Sequence, residues 1–428
     1  MKNNPFILVL LLFIQPFCSA QNEINVEHYK SDIQYLKETL PLKHPNLFFH
    51  QTKDVFNKNL DSISSDENLS KLSKLKIQMQ LREAIADLGD PHTNFGFYET
   101  IDEEGYFPLE MYWFNDGIWI IGADAKYREA LGKELIAINT IPIKQVIEEV
   151  SKVVPKNEPY FAKKRIPYFL FSNGILKAYN ISTGNSALFT FRNSKGESVA
   201  IEVSVGGQKY VVDDFESLKN LPELWQRPHS DTIPLFQQKY VAKDRILVIQ
   251  YNSCWGRELE ERFGDKAAAK KMPYFESFAR EVFETLEKKP VAKLLFDMRF
   301  NGGGSSPQGT RFIEKLSKNK EINRPGRLFV ATSEHTFSSA VINTMNFRQM
   351  TEAIIIGTPS GGTPNHYGEV RTLVLPKTGL EVYHSTNYFK YIDGDAKAVY
   401  PDIELETKYS DILNGKDPIY EFVKYYDK

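Results

Sequence analysis

The sequence predicts an α/β protein whose core is a mostly parallel sheet, preceded by a helical region and a small, mainly β module. Three observations predict this arrangement. Apolar residues recur at helical spacing over residues 26–88, the pattern shortens to strand-like runs between 105 and 205, and from 240 onward apolar strands alternate with amphipathic helices. Continuous apolar strands that alternate with helices are typical of parallel sheets covered by helices.

The first 20 residues have the order of a secretory signal peptide. Lys2 precedes the uninterrupted apolar run Phe6–Ile14, and small residues precede a cut after Ala20. The run is too short to span a bilayer as a helix, so we expect an exported, periplasmic or extracellular protein without a membrane span. A lipid anchor at Cys18 is the alternative, although the bulky Phe17 stands where such an anchor has a small residue.

The composition is that of an ordinary globular protein. The chain of 428 residues is 42% hydrophobic and 25% charged, with a net charge of −2. No basic block indicates a nucleic-acid partner. Removal of residues 1–20 leaves Cys254 as the single cysteine, so no internal disulfide is expected. Its place after an apolar strand favours a buried core thiol over a reactive one.

The helical region is assigned to residues 21–100 and ends in the segment LGDPHTNFGFY. Ile77, Leu81 and Ile85 continue the helical period up to Gly89, which can end a helix in a left-handed conformation. Pro91 then forces the chain into an extended exit.

A mainly β module is assigned to residues 101–205. PLEMYWF, GIWIIGA and KELIAIN look like strands, and IKQVIEEVSKVV looks like a helix. The aromatic-rich segment 160–171 fits a core or a rim, with a peptide groove as the alternative. Residues 206–239 contain prolines and no periodic pattern, and are predicted to connect the module to the α/β core.

The α/β core is assigned to residues 240–410 and a C-terminal tail to 411–428. Loops at the carboxyl ends of such strands are where sites are built. The first notable loop, DMRFNGGGSS (Asp297–Ser306), has three consecutive glycines that free backbone N–H groups to point at a neighbouring atom. The Lys of a phosphate-binding loop is absent from it.

The second notable loop, SEHTFSSAV, opens a helix with two serines. Serine there is either an ordinary N-cap or a nucleophile, because the positive end of a helix also favours an alkoxide or oxyanion. The two loops follow successive strands of one sheet, so we expect them to face each other.

In these segments the sequence resembles the S41 peptidases, which include the C-terminal processing proteases, the tricorn protease and many bacterial relatives. The resemblance implies a crotonase-like core with an inserted PDZ-like module, which residues 131–150 match weakly. It is collinear over roughly residues 25–410 and is carried by LGDPHT (88–93), LLFDMRFNGGGSS (294–306), HTFSSAVINT (335–344), IIIGTPSGGTPNHYGEV (354–370) and AVYPDIELE (398–406).

The resemblance also implies the nucleophile and its oxyanion donors. The family's serine at the start of a helix corresponds to Ser338, not Ser339. The backbone N–H groups of Gly302, Gly303 and Ser339 are the implied donors to the oxyanion, which agrees with the expectation that the two loops face each other.

The implied base is a histidine. C-terminal processing proteases have a Lys in the loop G-x-x-T-x-G-K-G, where this sequence has Thr363 in GTPSGGT. A threonine hydroxyl is no base near neutral pH, so a Ser–Lys dyad is excluded. Resemblance to tricorn-like relatives implies His92 as general base. His366 is the alternative, as base or substrate contact, whereas His335 is expected to be structural.

An acidic residue is expected to orient this histidine. Asp395 fits best, shortly before the segment PDIELE, with Asp393 close to it. The family usually has a Glu at this position, and both Asp395 and Asp393 differ from it. Asp90, two residues before His92, is a further candidate, although an Asp-Pro pair is also ordinary turn chemistry.

The predicted function is an exported S41-type serine endopeptidase that acts on a peptide or protein. No metal or organic cofactor is expected, since the sequence has neither HExxH nor a Cys/His cluster. The PDZ-like module is expected to capture an extended peptide by strand addition. The alternative is a non-catalytic protein that binds a peptide or hydrophobic ligand on the same scaffold, as the interphotoreceptor retinoid-binding branch of the family does.

Overall fold

The structure is a computed structural model, and it describes residues 25–65, 69–96, 98–156, 158–206, 215–218 and 234–427. The predicted signal peptide, the anchor candidate Cys18 and most of the predicted connector lie outside the described residues. Among the described helices, none combines the length and the apolar character that a membrane crossing needs.

The N-terminal region is helical, as its periodicity predicts. Its elements are α1 (Val26–Lys43), α2 (Lys53–Ser64), a 3₁₀ turn (Leu69–Lys71), α3 (Lys74–Ala86), the short strand β1 (Asn94–Phe95) and α4 (Tyr98–Glu104). Thr52 and Ser73 cap α2 and α3, since each side chain accepts a hydrogen bond from the backbone N–H three residues on. After α3, Gly89 has φ +85°, and a Cβ there would lie 2.9 Å from the His50 ring, so only glycine fits this turn.

The module contains an antiparallel sheet and more helix than the sequence pattern predicts. Its elements are β2 (Leu109–Phe114), β3 (Gly117–Asp124), a 3₁₀ turn (Ala125–Ala130), β4 (Glu134–Ile138), β5 (Ile141–Pro142), α5 (Ile143–Val150), a 3₁₀ turn (Ser151–Val153), α6 (Pro159–Leu170), α7 (Asn173–Ala178), β6 (Ser186–Arg192), β7 (Ser198–Ser204) and β8 (Phe215–Ser217). The strand order is β2-β3-β4-β6-β7, with β5 on β4 and β8 on β3.

The aromatic-rich segment 160–171 folds as helix α6 for most of its length. Ile166, Phe169 and Leu170 are buried at helical spacing, but Pro167 and the run of aromatic residues conceal that period in the sequence. The module and the N-terminal helices share one hydrophobic core.

The C-terminal half alternates strands and helices as predicted. Its elements are β9 (Phe236–Val241), β10 (Ile246–Tyr251), α8 (Arg257–Phe263), α9 (Lys266–Ala269), α10 (Phe275–Lys288), β11 (Lys293–Asp297), α11 (Ser306–Leu316), β12 (Leu328–Thr332), α12 (Ser339–Met350), β13 (Ile354–Gly357), β14 (His366–Gly368), β15 (Arg371–Val374), β16 (Glu381–His384), β17 (Asn387–Phe389), β18 (Ile403–Glu404), α13 (Tyr409–Leu413) and α14 (Pro418–Tyr425).

The central sheet has the strand order β18-β13-β12-β11-β10-β9. Strands β10 to β13 and β18 pair in parallel, and β9 is an antiparallel edge, so the expected mostly parallel core is confirmed. The crotonase-like and PDZ-like assignments of the two halves stay predictions.

Each face of the central sheet is covered. Helices α10, α11 and α12 contribute to the apolar cluster on one side, and α14 packs on the other through Ile419 and Val423. The segment 411–428, predicted to be a tail, therefore supplies a helix of the core. Its attachment includes a buried ion triad in which the Arg299 guanidinium pairs with Asp297 at 2.6 Å and with Asp417 at 2.7 Å.

A strand pairing connects the N-terminal region to the α/β core. Strand β1 pairs antiparallel with β16, with Asn94 opposite Tyr383, and β16 pairs in turn with β15. This pairing fixes the position of the segment just before β1, which contains His92. A second two-stranded ribbon, β14 with β17, positions His366.

Candidate active site

The glycine loop after β11 and the serine loop after β12 lie side by side, because β11 and β12 are parallel neighbours. Asn301 joins them. Its backbone carbonyl accepts the Phe337 N–H at 3.0 Å, and its side chain accepts the Gly303 N–H at 2.9 Å and donates to the Tyr251 carbonyl at 2.8 Å. The buried Thr336 hydroxyl adds a link to the Met298 carbonyl at 2.8 Å. The expectation that the two loops face each other is confirmed.

Ser338 occupies the N-cap position of α12 without acting as a cap. Its side chain makes no capping hydrogen bond, and its backbone lies at φ 53°, ψ −124°, whereas an N-cap residue normally has extended φ and ψ. A non-glycine residue in this region is strained and is held there only by its surroundings. A sharp strand-to-helix turn that exposes a serine hydroxyl is the geometry of a nucleophile elbow.

The glycine loop packs directly against Ser338. Gly303 has φ +109°, and a Cβ there would lie 2.8 Å from the Ser338 Cβ and 3.0 Å from the Phe337 carbonyl. Both the conformation and the close approach therefore require glycine. The N–H of Gly303 is engaged by Asn301, while no described residue accepts a hydrogen bond from the N–H of Gly302 or Ser339. Of the three predicted oxyanion donors, Gly302 and Ser339 therefore have a backbone N–H that no described residue engages.

Cys254 lies beneath the glycine loop as a buried thiol. Its N–H donates to the Gly303 carbonyl at 2.9 Å, and its carbonyl accepts the Ser305 N–H at 2.7 Å. Burial raises the pKa of the thiol to about 12, against the hydrogen bonds that it shares with Tyr251 and Asn301, which lower it. The thiol is therefore neutral, and the expectation of a core cysteine is confirmed.

His92 lies against the serine loop. Its ring stacks on Phe337, the residue before Ser338, with centroids 4.6 Å apart. Neither ring nitrogen makes a hydrogen bond with a described residue, although both are buried. Burial lowers the pKa of His92 to about 4; the Asp90 carboxylate raises it, and His366 and Lys164 lower it. The imidazole is therefore neutral near pH 7, which is the form that can accept a proton.

Asp90 lies beside His92 and is held by a buried network. Its Oδ1 accepts the backbone N–H of His92 at 3.0 Å and lies 3.8 Å from the His92 Nδ1. Its Oδ2 accepts hydrogen bonds from the hydroxyls of Thr93 and Ser385, both at 2.6 Å, and contacts His44 Nε2 at 3.2 Å. Burial alone would raise the pKa of Asp90, but these hydrogen bonds and the charge on His92 outweigh burial and lower it.

Asp395 is not brought to this network. It is exposed on the loop after β17 and makes no hydrogen bond or ion pair with a described residue. Asp393 is also exposed and pairs with Lys390 at 2.9 Å. Among the three acids considered from the sequence, Asp90 is the one whose carboxylate lies next to His92.

His366 and Thr363 lie on the other side of His92. The His366 ring lies 5.7 Å from that of His92, between centroids, and its Nδ1 donates to the Thr363 carbonyl at 2.9 Å. Burial lowers the pKa of His366, against that backbone hydrogen bond. The Thr363 hydroxyl donates to the Asn365 carbonyl at 2.7 Å, so it is engaged within its own loop. His335 stacks on Tyr112 at 5.5 Å.

Lys164 is a further residue of the site, to which helix α6 brings it, and no sequence motif marks it. Its Nζ lies 5.0 Å above the Phe337 ring and 3.5 Å from the His335 carbonyl. A methyl group added at Gly302 would lie 3.5 Å from the same Nζ. Burial lowers the pKa of Lys164 to about 7; the charge on Arg165 also lowers it and that on Glu334 raises it. No motif marks a lysine in an unrecognised helix, so only the fold reveals it.

Within the described residues, no cluster of three His, Cys, Asp or Glu side chains is arranged to hold a metal ion. The chemistry that the arrangement itself offers is a serine hydroxyl at a helix start, free backbone N–H groups and a neutral buried imidazole.

Comparison with solved structures gives the fold class. Mature CPAF complexed with lactacystin matches with a TM-score of 0.65 and 14% identity over 93% of this chain and 97% of that chain. Mature CPAF alone matches with a TM-score of 0.65 and 13% identity, over 93% and 96% of the two chains. No protein-family model and no curated protein matches the sequence. The chain therefore has the fold of CPAF, and its resemblance to the S41 peptidases is confirmed at the level of the fold.

Proposed function

We propose that this protein is an exported serine endopeptidase of the S41 type, with Ser338 as nucleophile and His92 as general base. The observation that carries the proposal is the conformation of Ser338. A serine at a helix start is ordinarily a cap, yet this one makes no capping hydrogen bond and is held at a positive φ beside two free backbone N–H groups. The S41-type fold, which structures of CPAF share, supports the same function.

In the proposed reaction, the Ser338 Oγ attacks a peptide carbonyl while the neutral His92 accepts its proton. The carbonyl oxygen becomes an oxyanion and accepts hydrogen bonds from the N–H groups of Gly302 and Ser339. His92 then returns the proton to the leaving amine, and water hydrolyses the acyl-enzyme by the same steps. Asp90 orients His92 and stabilises the imidazolium that forms in each step.

The absence of a hydrogen bond to the His92 ring in the structure is compatible with this mechanism. Catalytic hydrogen bonds are often long in a free enzyme and shorten when substrate or the transition state is bound. The stacking on Phe337 keeps the ring against the residue that precedes Ser338, and burial keeps it neutral near pH 7.

The test is covalent labelling with a fluorophosphonate, which needs an activated serine but no knowledge of the substrate. We expect the wild-type protein to be labelled at Ser338, with the modified peptide found by mass spectrometry. Ser338→Ala should not be labelled, and Ser339→Ala, which alters the neighbouring hydroxyl, should keep the labelled site. Fluorescein-casein should likewise be hydrolysed by the wild type and by Ser339→Ala, but not by Ser338→Ala.

Absence of labelling in a folded wild-type protein would contradict the proposal. Circular dichroism and a cooperative thermal transition establish the fold in each sample. That outcome would favour the alternative of a non-catalytic protein that binds a peptide or hydrophobic ligand on this scaffold.

A further inference from the structure

A pocket of about 270 Å³ opens beside the proposed catalytic residues. His92 and Phe337 form part of its wall, so it adjoins the nucleophile loop directly. Helix α6 contributes Phe161 and Phe169 to the wall, and the preceding turn contributes Val153. The pocket is large enough for one or two side chains of a peptide. Because Phe337, the residue before Ser338, lines it, the pocket is a place for residues flanking the scissile bond.

Two cationic side chains of α6 line this pocket, Lys164 and Arg165. Arg165 lies over the rings of Tyr168 and Phe169, at 5.3 and 5.4 Å, and forms no hydrogen bond or ion pair with a described residue. Lys164 has one long polar contact, to the His335 carbonyl at 3.5 Å. Both are partly buried, and within the described residues neither forms the ion pair that a buried charge normally has.

No described carboxylate lines the pocket, and the nearby ones are engaged elsewhere. Asp90 is held by its own hydrogen-bond network. Glu334 accepts hydrogen bonds from Tyr112 at 3.0 Å and from Thr358 at 3.2 Å.

Glu158, at the start of α6, adds little negative charge. Burial raises the pKa of its carboxyl to about 8, against the charge on Lys397, which lowers it; Asp90 raises it further. At neutral pH Glu158 is therefore largely uncharged. Glu334 acts on Lys164 by raising its pKa, but no described carboxylate lies in the wall of the pocket beside the Arg165 guanidinium.

Resting on the proposed function, we infer that this pocket selects peptides that place a carboxylate next to the scissile bond. The guanidinium of Arg165 can donate two parallel hydrogen bonds to a carboxylate. Lys164 supplies a further hydrogen-bond donor, whose charged form a bound carboxylate would favour, and the aromatic wall covers the methylene groups. Two sources supply the same chemistry, an Asp or Glu side chain and the C-terminal carboxylate of the peptide.

The experiment uses the full-length Ser338→Ala protein and fluorescein-labelled peptides, so that binding is read by fluorescence anisotropy without turnover. A first library with amidated C-termini compares Glu with Gln at each position of a hexapeptide. A second, without acidic residues, compares the free C-terminal acid with the amide. We expect a Kd at least 10-fold lower for the carboxylate in one of the two libraries, because a charge-assisted pair at a desolvated site contributes about that much.

Arg165→Gln and Lys164→Met should each reduce this ratio toward one. Lys152→Gln removes an exposed charge on the turn before α6 and should leave the ratio unchanged, which controls for the general field of the protein. Equal affinity for acid and amide in both libraries, or a preference that survives both pocket substitutions, would overturn the inference. Fluorophosphonate labelling of the wild type reports separately on the proposed function, so the two failures are distinguishable.

Discussion

Replacement of Asp90 by Asn tests the proposed catalytic machinery most directly. The substitution keeps the shape of the side chain and removes its charge 3.8 Å from the His92 Nδ1. At an effective dielectric constant of about 20, a charge pair at this distance is worth about 4 kcal/mol, which corresponds to about 10³-fold in rate when His92 becomes charged in the transition state.

The hydrogen bonds around Asp90 predict a loss of stability as well. His44 accepts the Asn46 N–H at its Nδ1, so its Nε2 must donate to the Asp90 Oδ2. The Oδ1 accepts the backbone N–H of His92. In either orientation of an Asn amide, its NH₂ group would therefore face one of these N–H donors, and two donors cannot form a hydrogen bond with each other. One buried donor loses its acceptor, at a cost of about 1–3 kcal/mol in the free energy of unfolding.

The assay is the second-order rate of fluorophosphonate labelling between about pH 3 and about pH 8, a range that includes the acid limb of His92. Urea unfolding is measured on the same samples. For Asp90→Asn we expect the labelling rate on the pH-independent plateau to be about 10³-fold below that of the wild type. Because the Asp90 carboxylate raises the pKa of His92, its removal should shift the acid limb to lower pH, not higher.

The exposed Asp395 provides the matched control, because it makes no hydrogen bond or ion pair with a described residue. Asp395→Asn should label within about twofold of wild type. Equal losses in the two variants, or an Asp90→Asn protein that keeps the wild-type rate, would refute the assignment of Asp90 as the residue that orients His92.

Three further outcomes follow from the structure. Labelling of the wild type should stay near its plateau at pH 5, because burial lowers the pKa of His92 to about 4 and its base form persists above that value; a decline centred near the ordinary value of about 6.5 would contradict this. Gly303→Ala should lose at least about 10²-fold in labelling rate, since its Cβ would lie 2.8 Å from that of Ser338, and unchanged labelling would exclude the close packing of the two loops. Asp417→Ala should lower the free energy of unfolding by about 3–5 kcal/mol, because it leaves Arg299 buried with half of its ion pairs; a loss below about 1 kcal/mol in urea unfolding would show that α14 contributes little to the core.

The three candidate acids show what the sequence leaves open. Asp395 fits the motif order, and the alternative Asp90 is also explained by ordinary turn chemistry in an Asp-Pro pair. The sequence cannot rank them, since both are compatible with the same local patterns. The structure separates them because Thr93 and Ser385, which donate to Asp90, come from segments joined by the pairing of β1 with β16.

Helix α6 is a secondary-structure element that the sequence pattern alone does not reveal. Its helical period is present at Ile166, Phe169 and Leu170, yet Pro167 lies inside it and aromatic residues flank it. The sequence pattern therefore indicates only a core or rim segment. Lys164 was missed with it, because a lysine acquires a functional meaning only when burial and neighbours alter its charge.

The sequence by itself determined the features that are encoded locally. The alternation of apolar strands and amphipathic helices fixed a mostly parallel sheet, and the loops after two neighbouring strands placed Ser338 beside Gly302 and Gly303. Only the tertiary structure decided which distant groups meet them. The pairing of β1 with β16 brings His92 and Asp90 to the serine loop, and the packing of α6 brings Lys164. Local periodicity cannot specify such contacts, because they depend on how separately encoded elements share one core.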